Sequence, residues 1–299
     1  MLVWAFSIAL MLAGVPIAPP ASVVRPQSQD QSTALPTVEV EGRRRSTYSA
    51  ARSFTNEILA TPPRRGIARW RTGICPGVLN LQRDVAQALV DRISDQVAYL
   101  GLEVGEPGCE PNVLIVGADD GKAMAAEMVG AERTAFITGV AGTSLTFRAL
   151  DVFKTSDAPV RWWLLTLPLD ADTLEMTVRT RGADQAPVRN VHRPSRLRTQ
   201  DINAIWRNLV IVDVNRIGTV DVTQLGDYIA MVSLAQVDAE ADLSGYDTVL
   251  NLFDEPTGVT GMTDWDRRYL RELYSAELSA LRMSHQVGAI AGGMAREED

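Results

Sequence analysis

Histidine is almost missing from this chain: His192 and His285 are the only two in 299 residues. Two imidazoles cannot build a three-histidine metal centre. Cysteine is equally scarce. Cys75 and Cys109 stand 34 positions apart, far from the C-x-x-C spacing of thiol zinc and redox sites, so they are expected to carry structure and no chemistry. No Gly-x-Ser-x-Gly elbow and no cysteine–histidine pair is present to suggest nucleophilic catalysis. An excess of positive charge is lacking too. With 29 basic against 37 acidic residues the net charge is −8, which argues against nucleic acid as a general partner, because phosphate binding needs a positive face.

What is present is enough for a core. A chain of this length with 46% hydrophobic residues can bury one large domain or two small ones. The apolar run Leu2 to Val15 has the length of a signal-peptide core and is too short to span a bilayer comfortably. Residues 1–21 are therefore expected to be a signal peptide or an N-terminal anchor. No Lys or Arg precedes the run, and Pro16, Pro19 and Pro20 spoil the small-x-small cleavage pattern up to Ala21, which keeps membrane anchoring open. The expected location is periplasmic or secreted. In that setting two cysteines permit one disulfide, Cys75–Cys109, with two buried thiols as the alternative.

Residues 22–65 are rich in Pro, Gln, Ser, Thr and Arg and read as a disordered linker. The folded domain is expected over 66–283, with a C-terminal tail at 284–299. Ala68 to Val78 has strand-like content. Val85, Leu89, Ile93, Val97 and Leu100 share one helical stripe, and Gly101 is placed to end that helix. Pro111 to Gly117 is a short apolar run typical of a strand buried on both faces. Strand, helix and strand in this order predict a parallel crossover pair. A helix is expected around Leu145 to Phe153, and Val160 to Leu169 reads as a strand whose adjacent Trp162 and Trp163 point to opposite faces. Leu209 to Val214 is another strand.

Few other motifs carry chemistry. Gly117 to Ala123 (GADDGKA) sits where a phosphate loop would. Its spacing is one residue short and Ala123 replaces the magnesium-holding Ser or Thr, so no cofactor is expected. Residues 170–200 are polar and basic, with Arg189, Arg193, Arg196 and Arg198 around His192, and read as a solvated loop or an anion site. Asp238, Glu240, Asp242 and Asp247 alternate as calcium ligands do, without the glutamate at the twelfth position of a helix-loop-helix calcium site. No metal is expected there.

The organising stretch is Val222 to Asp254. It is a mostly apolar helix from Thr223 to Val237, buried on most sides, followed by an acidic loop and a short apolar segment. Laid on the pattern H-E-x-x-H-x-x-G-x-x-H, Asp227 and Met231 fall at the first two ligand positions and Tyr228 at the catalytic glutamate. Leu234 falls at the glycine, and Val237 or Asp238 at the third ligand. Asp247 to Asp254 then takes the place of a Met-turn. Met262 to Tyr274 looks like a closing helix, capped by Thr263 with Asp266 three residues on. In this order of elements the chain resembles the metzincin-type, zincin-like metalloproteases, with the zinc motif degenerate. Ile74-Cys-Pro-Gly-Val78, the run from Cys109 and Thr263-Asp-Trp-Asp-Arg267 are similar to a family of uncharacterised bacterial secreted proteins.

The resemblance implies an α+β fold: a zincin-like mixed sheet with a long N-terminal helix, a buried central helix and a C-terminal helix. It also implies loss of catalysis and a role in binding an envelope component. The alternative is an active hydrolase using carboxylates, with or without a metal, with Asp213, Asp227 and Asp238 as candidates whose pKa values burial would have to separate.

Overall fold

The computed structural model describes residues 36–140, 142–178 and 196–296. The expected signal segment 1–21, the first part of the expected linker, and Arg189, His192 and Arg193 lie outside them. Among the described residues the chain forms eight α-helices and one five-stranded mixed sheet.

The strands are β1 (Ala68–Trp70), β2 (Pro76–Leu79), β3 (Val113–Ala118), β4 (Val160–Asp170) and β5 (Asp201–Asp213). The last is the spine. Along one side β5 pairs antiparallel with β4 over its whole length, from Val160 opposite Val212 to Asp170 opposite Asp201. Its other side is shared by two parallel partners: β1 takes Asn203 to Ile205, and β3 takes Asn208 to Asp213. Outside β3, β2 adds a third parallel pair.

Helices cover both faces. On one lie α1 (Pro36–Ile58), α2 (Arg83–Tyr99), α6 (Val222–Leu234), α7 (Asp264–Ser275) and α8 (Met283–Arg296), around the larger core. On the other, α3 (Gly121–Ala131), α4 (Arg133–Phe136) and α5 (Phe147–Thr155) close a smaller core of Phe136, Phe153, Trp163 and Ile211.

Much of this follows from local pattern. The crossover β2–α2–β3 is parallel as expected, and Leu89, Ile93 and Val97 are fully buried along the stripe of α2. Gly101 ends that helix at φ +69°, a conformation that costs glycine nothing. The paired tryptophans do face apart: Trp162 Nε1 donates to Val237 O at 3.0 Å on the large-core side, and Trp163 Nε1 to Phe136 O at 3.0 Å on the other. Cys75 and Cys109 are disulfide-bonded with Cα atoms 6.2 Å apart, tying the start of β2 to the loop before β3. Asn112 reinforces that junction, accepting from Cys75 N and donating to Gly73 O, both at 2.8 Å.

Four expectations need correction. Residues 36–58 are not linker. They form α1, whose Ala51, Phe54 and Ile58 are fully buried, and Phe54 meets Tyr246, Trp265 and Tyr269 edge-on at 5.1, 5.7 and 5.3 Å. Residues 284–296 of the expected tail are not tail, because they continue α8, which buries Val287, Ile290, Ala291 and Met294 in the same core. The strand expected over Ala68 to Val78 is two strands, β1 on β5 and β2 on β3. And β5 starts at Asp201 rather than Leu209. Its first eight residues include two buried asparagines whose amide nitrogens are satisfied: Asn203 Nδ2 donates to Gly66 O at 2.7 Å, and Asn208 Nδ2 to Val232 O and Ser233 Oγ at 3.1 Å.

If α1 belongs to the core, Phe54→Ala will destabilise the protein by about 3–5 kcal/mol in a urea titration. A linker residue would leave the midpoint unchanged. The non-reduced protein will show no free thiol, and reduction will cost about 3–4 kcal/mol, the chain-entropy value for a loop of this length.

Candidate functional site

The helix α6 starts from a reciprocal cap. Asp221 accepts from Thr223 N and Gln224 N, and the Gln224 side chain accepts from Asp221 N. From Leu225 to Leu234 every residue is then buried, so the helix is enclosed on all sides.

Asp227 lies at the centre of this enclosure, fully buried. Arg92 of α2 grips it with two parallel bonds, Nε to Oδ1 at 2.7 Å and Nη2 to Oδ2 at 2.8 Å. Gln96 Nε2 adds a bond to Oδ1 at 3.0 Å, and Met262 N one to Oδ2 at 2.8 Å. Each carboxylate oxygen thus accepts twice. Next to it the backbone comes close: a Cβ at Gly261, whose φ is +145°, would sit 2.5 Å from Oδ2. Only glycine lets the loop before α7 reach the carboxylate.

The other sequence-derived positions do not converge on Asp227. Met231 and Leu234 are fully buried in apolar packing. Tyr228, Val237 and Asp238 instead border a cavity of about 380 Å³ between α6, α5 and the β4 edge, together with Trp162 and Glu240. Tyr228 packs edge-on against Trp162 and Phe253 at 6.2 and 5.0 Å. Burial, with the charge of Asp254 adding to it, pushes its phenol above the ordinary tyrosine range, so it stays protonated. Asp238 accepts from Glu240 N at 3.0 Å, and its own N–H donates to Ile58 O at 2.7 Å. Arg161, also on this cavity, is buried and donates to the carbonyls of Phe153 and Ala158. Burial lowers its pKa and the nearby Asp213 opposes that.

The three candidate carboxylates therefore have separate partners. Asp213, at the end of β5, accepts from Gly121 N at 2.9 Å and Asn215 N at 3.2 Å, with Arg216 Nε at 3.5 Å. Asp227 is saturated by α2 and the Met262 amide, and Asp238 lies in a turn. No pair shares a partner or a space.

Other motifs resolve as local structure. In the GADDGKA loop, Asp120 caps α3 by accepting from Ala123 N at 2.9 Å, so its own carboxylate fills the place a phosphate would take. In the acidic loop, Glu240 pairs with Arg148 at 3.0 Å and Asp242 turns back onto Ser244. Among the described residues no group of three His, Cys, Asp or Glu side chains is arranged to hold a metal. Arg198, the basic-loop residue for which an ion pair is seen, lies 3.8 Å from Glu277, and both are exposed.

The segment Asp247 to Asp254 contains a short 3-10 turn, Val249–Asn251, fixed to α7 by Asp266. That carboxylate accepts from Thr248 Oγ1, Val249 N, Thr263 Oγ1 and Thr263 N at 2.6–3.1 Å. Burial raises its pKa while these donors pull it down. Thr263 and Asp266 form the expected capping box. At the far end of α7, Arg69 Nη1 reaches the carbonyls of Leu273, Tyr274 and Ala276. Its pKa is pushed down to about 10 by burial and by Arg71.

Little in the sequence signals a second, wider cavity. It measures about 780 Å³ and lies under the other face of the sheet, between β3, β4, β5 and the α3–α4 corner. A signal was available in Trp206, a large aromatic directly followed by the polar pair Arg207-Asn208 on β5. No family model matches the chain, and neither a curated protein nor a solved structure is significantly similar to it.

Two single substitutions test the clasp. Arg92→Ala will cost about 3–5 kcal/mol, because Asp227 is left charged in the core. Asp227→Asn will cost less, about 2–3 kcal/mol, since Arg92 retains a path to solvent. In a double-mutant cycle the combined loss will fall short of the sum by at least about 1 kcal/mol.

Proposed function

We propose that this protein is a zincin-like domain that has given up catalysis and serves to bind a component of the bacterial envelope. One observation carries the reading: Asp227, at the first ligand position of the degenerate motif, is consumed by four hydrogen bonds from α2 and the Met262 amide. A hydrolytic zinc needs three protein ligands and an open position, and general-base help contributes about 10²–10⁴ in rate. Of the corresponding positions, Tyr228 and Val237 or Asp238 border the cavity of about 380 Å³, while Asp227 faces Arg92 of α2 and Met231 and Leu234 are enclosed in apolar packing, so the three ligand positions do not meet. Support also comes from the order of elements: a parallel set of strands, an antiparallel edge strand β4, and a buried helix α6 followed by the capped α7.

The disulfide is compatible with export to the periplasm or beyond. Among the described residues no helix is long and apolar enough to cross a membrane. The reading as an active carboxylate hydrolase is weaker, because Asp213, Asp227 and Asp238 each answer to different partners.

The test is made on protein produced without a histidine tag from cells grown with added zinc. Metal analysis after dialysis will find no stoichiometric zinc, and a mixed-peptide assay will give no hydrolysis sensitive to chelation. One zinc per chain, with cleavage lost on chelation, would overturn the reading.

A further inference from the structure

The 780 Å³ cavity shares no residue with α6 and falls within the roughly 300–1,000 Å³ of ordinary small-molecule sites. Its floor is unusual for the middle of a sheet. Leu209 is on the central strand with neighbours on both sides, and Leu114 is on β3, yet both remain only partly buried because the helices of this face leave them open. Met128 of α3 faces the same space half-buried, and Trp163 and Leu165 of β4 wall it. Apolar side chains at the centre of a folded sheet gain by being covered.

The mouth has a different character. Trp206 is 39% exposed there, and the Arg207 guanidinium lies over its ring, 4.8 Å from the centroid. Among the described residues Arg207 pairs with Glu110 at 3.3 Å, and that side chain is itself 86% exposed, so the pair is weak and readily exchanged. Glu132 lines the cavity at the α3–α4 corner. It is therefore the β5 end, where Trp206 holds the Arg207 cation beside the apolar floor, that fits an anionic head on an apolar body.

We infer that this cavity binds a single-chain amphiphile with a carboxylate head, its chain over Leu114, Leu209 and Trp163 and its head on Arg207. The inference goes beyond the loss of catalysis and does not depend on it.

The experiment titrates the full, disulfide-intact chain with dodecanoate below its micellar concentration, following tryptophan fluorescence and heat in parallel, with dodecanol as the uncharged control. Saturable one-to-one binding is expected, with dodecanoate preferred by about tenfold or more, as a charged hydrogen bond allows. Arg207→Gln, an exposed substitution, will erase the preference while retaining dodecanol binding. Leu209→Trp, checked for native circular dichroism, will abolish both by filling the floor. Absence of saturation overturns the inference, as does equal affinity for acid and alcohol in the unsubstituted protein. Binding only to intact phospholipid vesicles would also overturn it, assigning the face to a membrane surface. Zinc content and peptide hydrolysis are unaffected by any of these outcomes, so failure here is distinct from failure of the proposed function.

Discussion

The pairing of Asp227 with Arg92 is the constraint on which the larger half of the molecule depends. A carboxylate taken fully out of water is tolerated only when its lone pairs are met, and here four donors meet them. Those donors come from α2 and from the loop before α7. One side chain thus fixes α6 against α2 and sets where α7 begins. Asp266 then repeats the device on a smaller scale, locking α7 to the turn at Val249. The two carboxylates place the segments around α6 more definitely than apolar contact alone would, since apolar packing is non-directional.

The sheet divides the molecule unequally. On the α6 face, five helices and an aromatic cluster around Phe54 close the core. On the other, three short helices cover only part of β3, β4 and β5, leaving the cavity by Leu114 and Leu209. Neighbouring residues of β5 alternate between these surroundings: Val210 and Val212 are sealed in the larger core, while Leu209, just before them and on the other face, is only partly buried.

Legibility in the sequence followed the range of the interactions. Elements specified by a local period or a cap were readable: the stripe of α2, the Thr263–Asp266 box, the run in β4, and the enclosed apolar helix α6. Elements specified by distant contacts were not. In α1 the surrounding arginines and serines hide Phe54 and Ile58, and the ring partners of Phe54 lie about 190–215 residues away. In α8, Gly288, Gly292 and Gly293 argue against a helix by propensity. Yet a Cβ at Gly293 would collide with the Glu272 side chain, so the glycine is what lets α7 and α8 pack closely. In β5, Asn203 and Asn208 broke the apolar pattern because their amides bond to Gly66, Val232 and Ser233, which no local window contains. The candidate site was legible as a list of positions and illegible as a geometry. The register placed Asp227, Tyr228 and Met231 on one helix, but only the fold shows that Asp227 faces α2 while Tyr228 faces the β4 edge.

That geometry bears on how far the chain stands from a metal centre. Placing histidines at 227 and 231 would not by itself open a site, because Arg92 and the Met262 amide would lose their acceptor in a buried setting. The imidazoles would sit where Met231 is now fully enclosed. Loss of one partner of a buried pair costs about 3–5 kcal/mol, a large share of the stability of an ordinary domain. The Asp227 clasp therefore makes the α6 side a rigid frame. The opposite face is already open at Leu209, with a cation at its mouth, and a ligand there would add contacts without dismantling any that hold the fold.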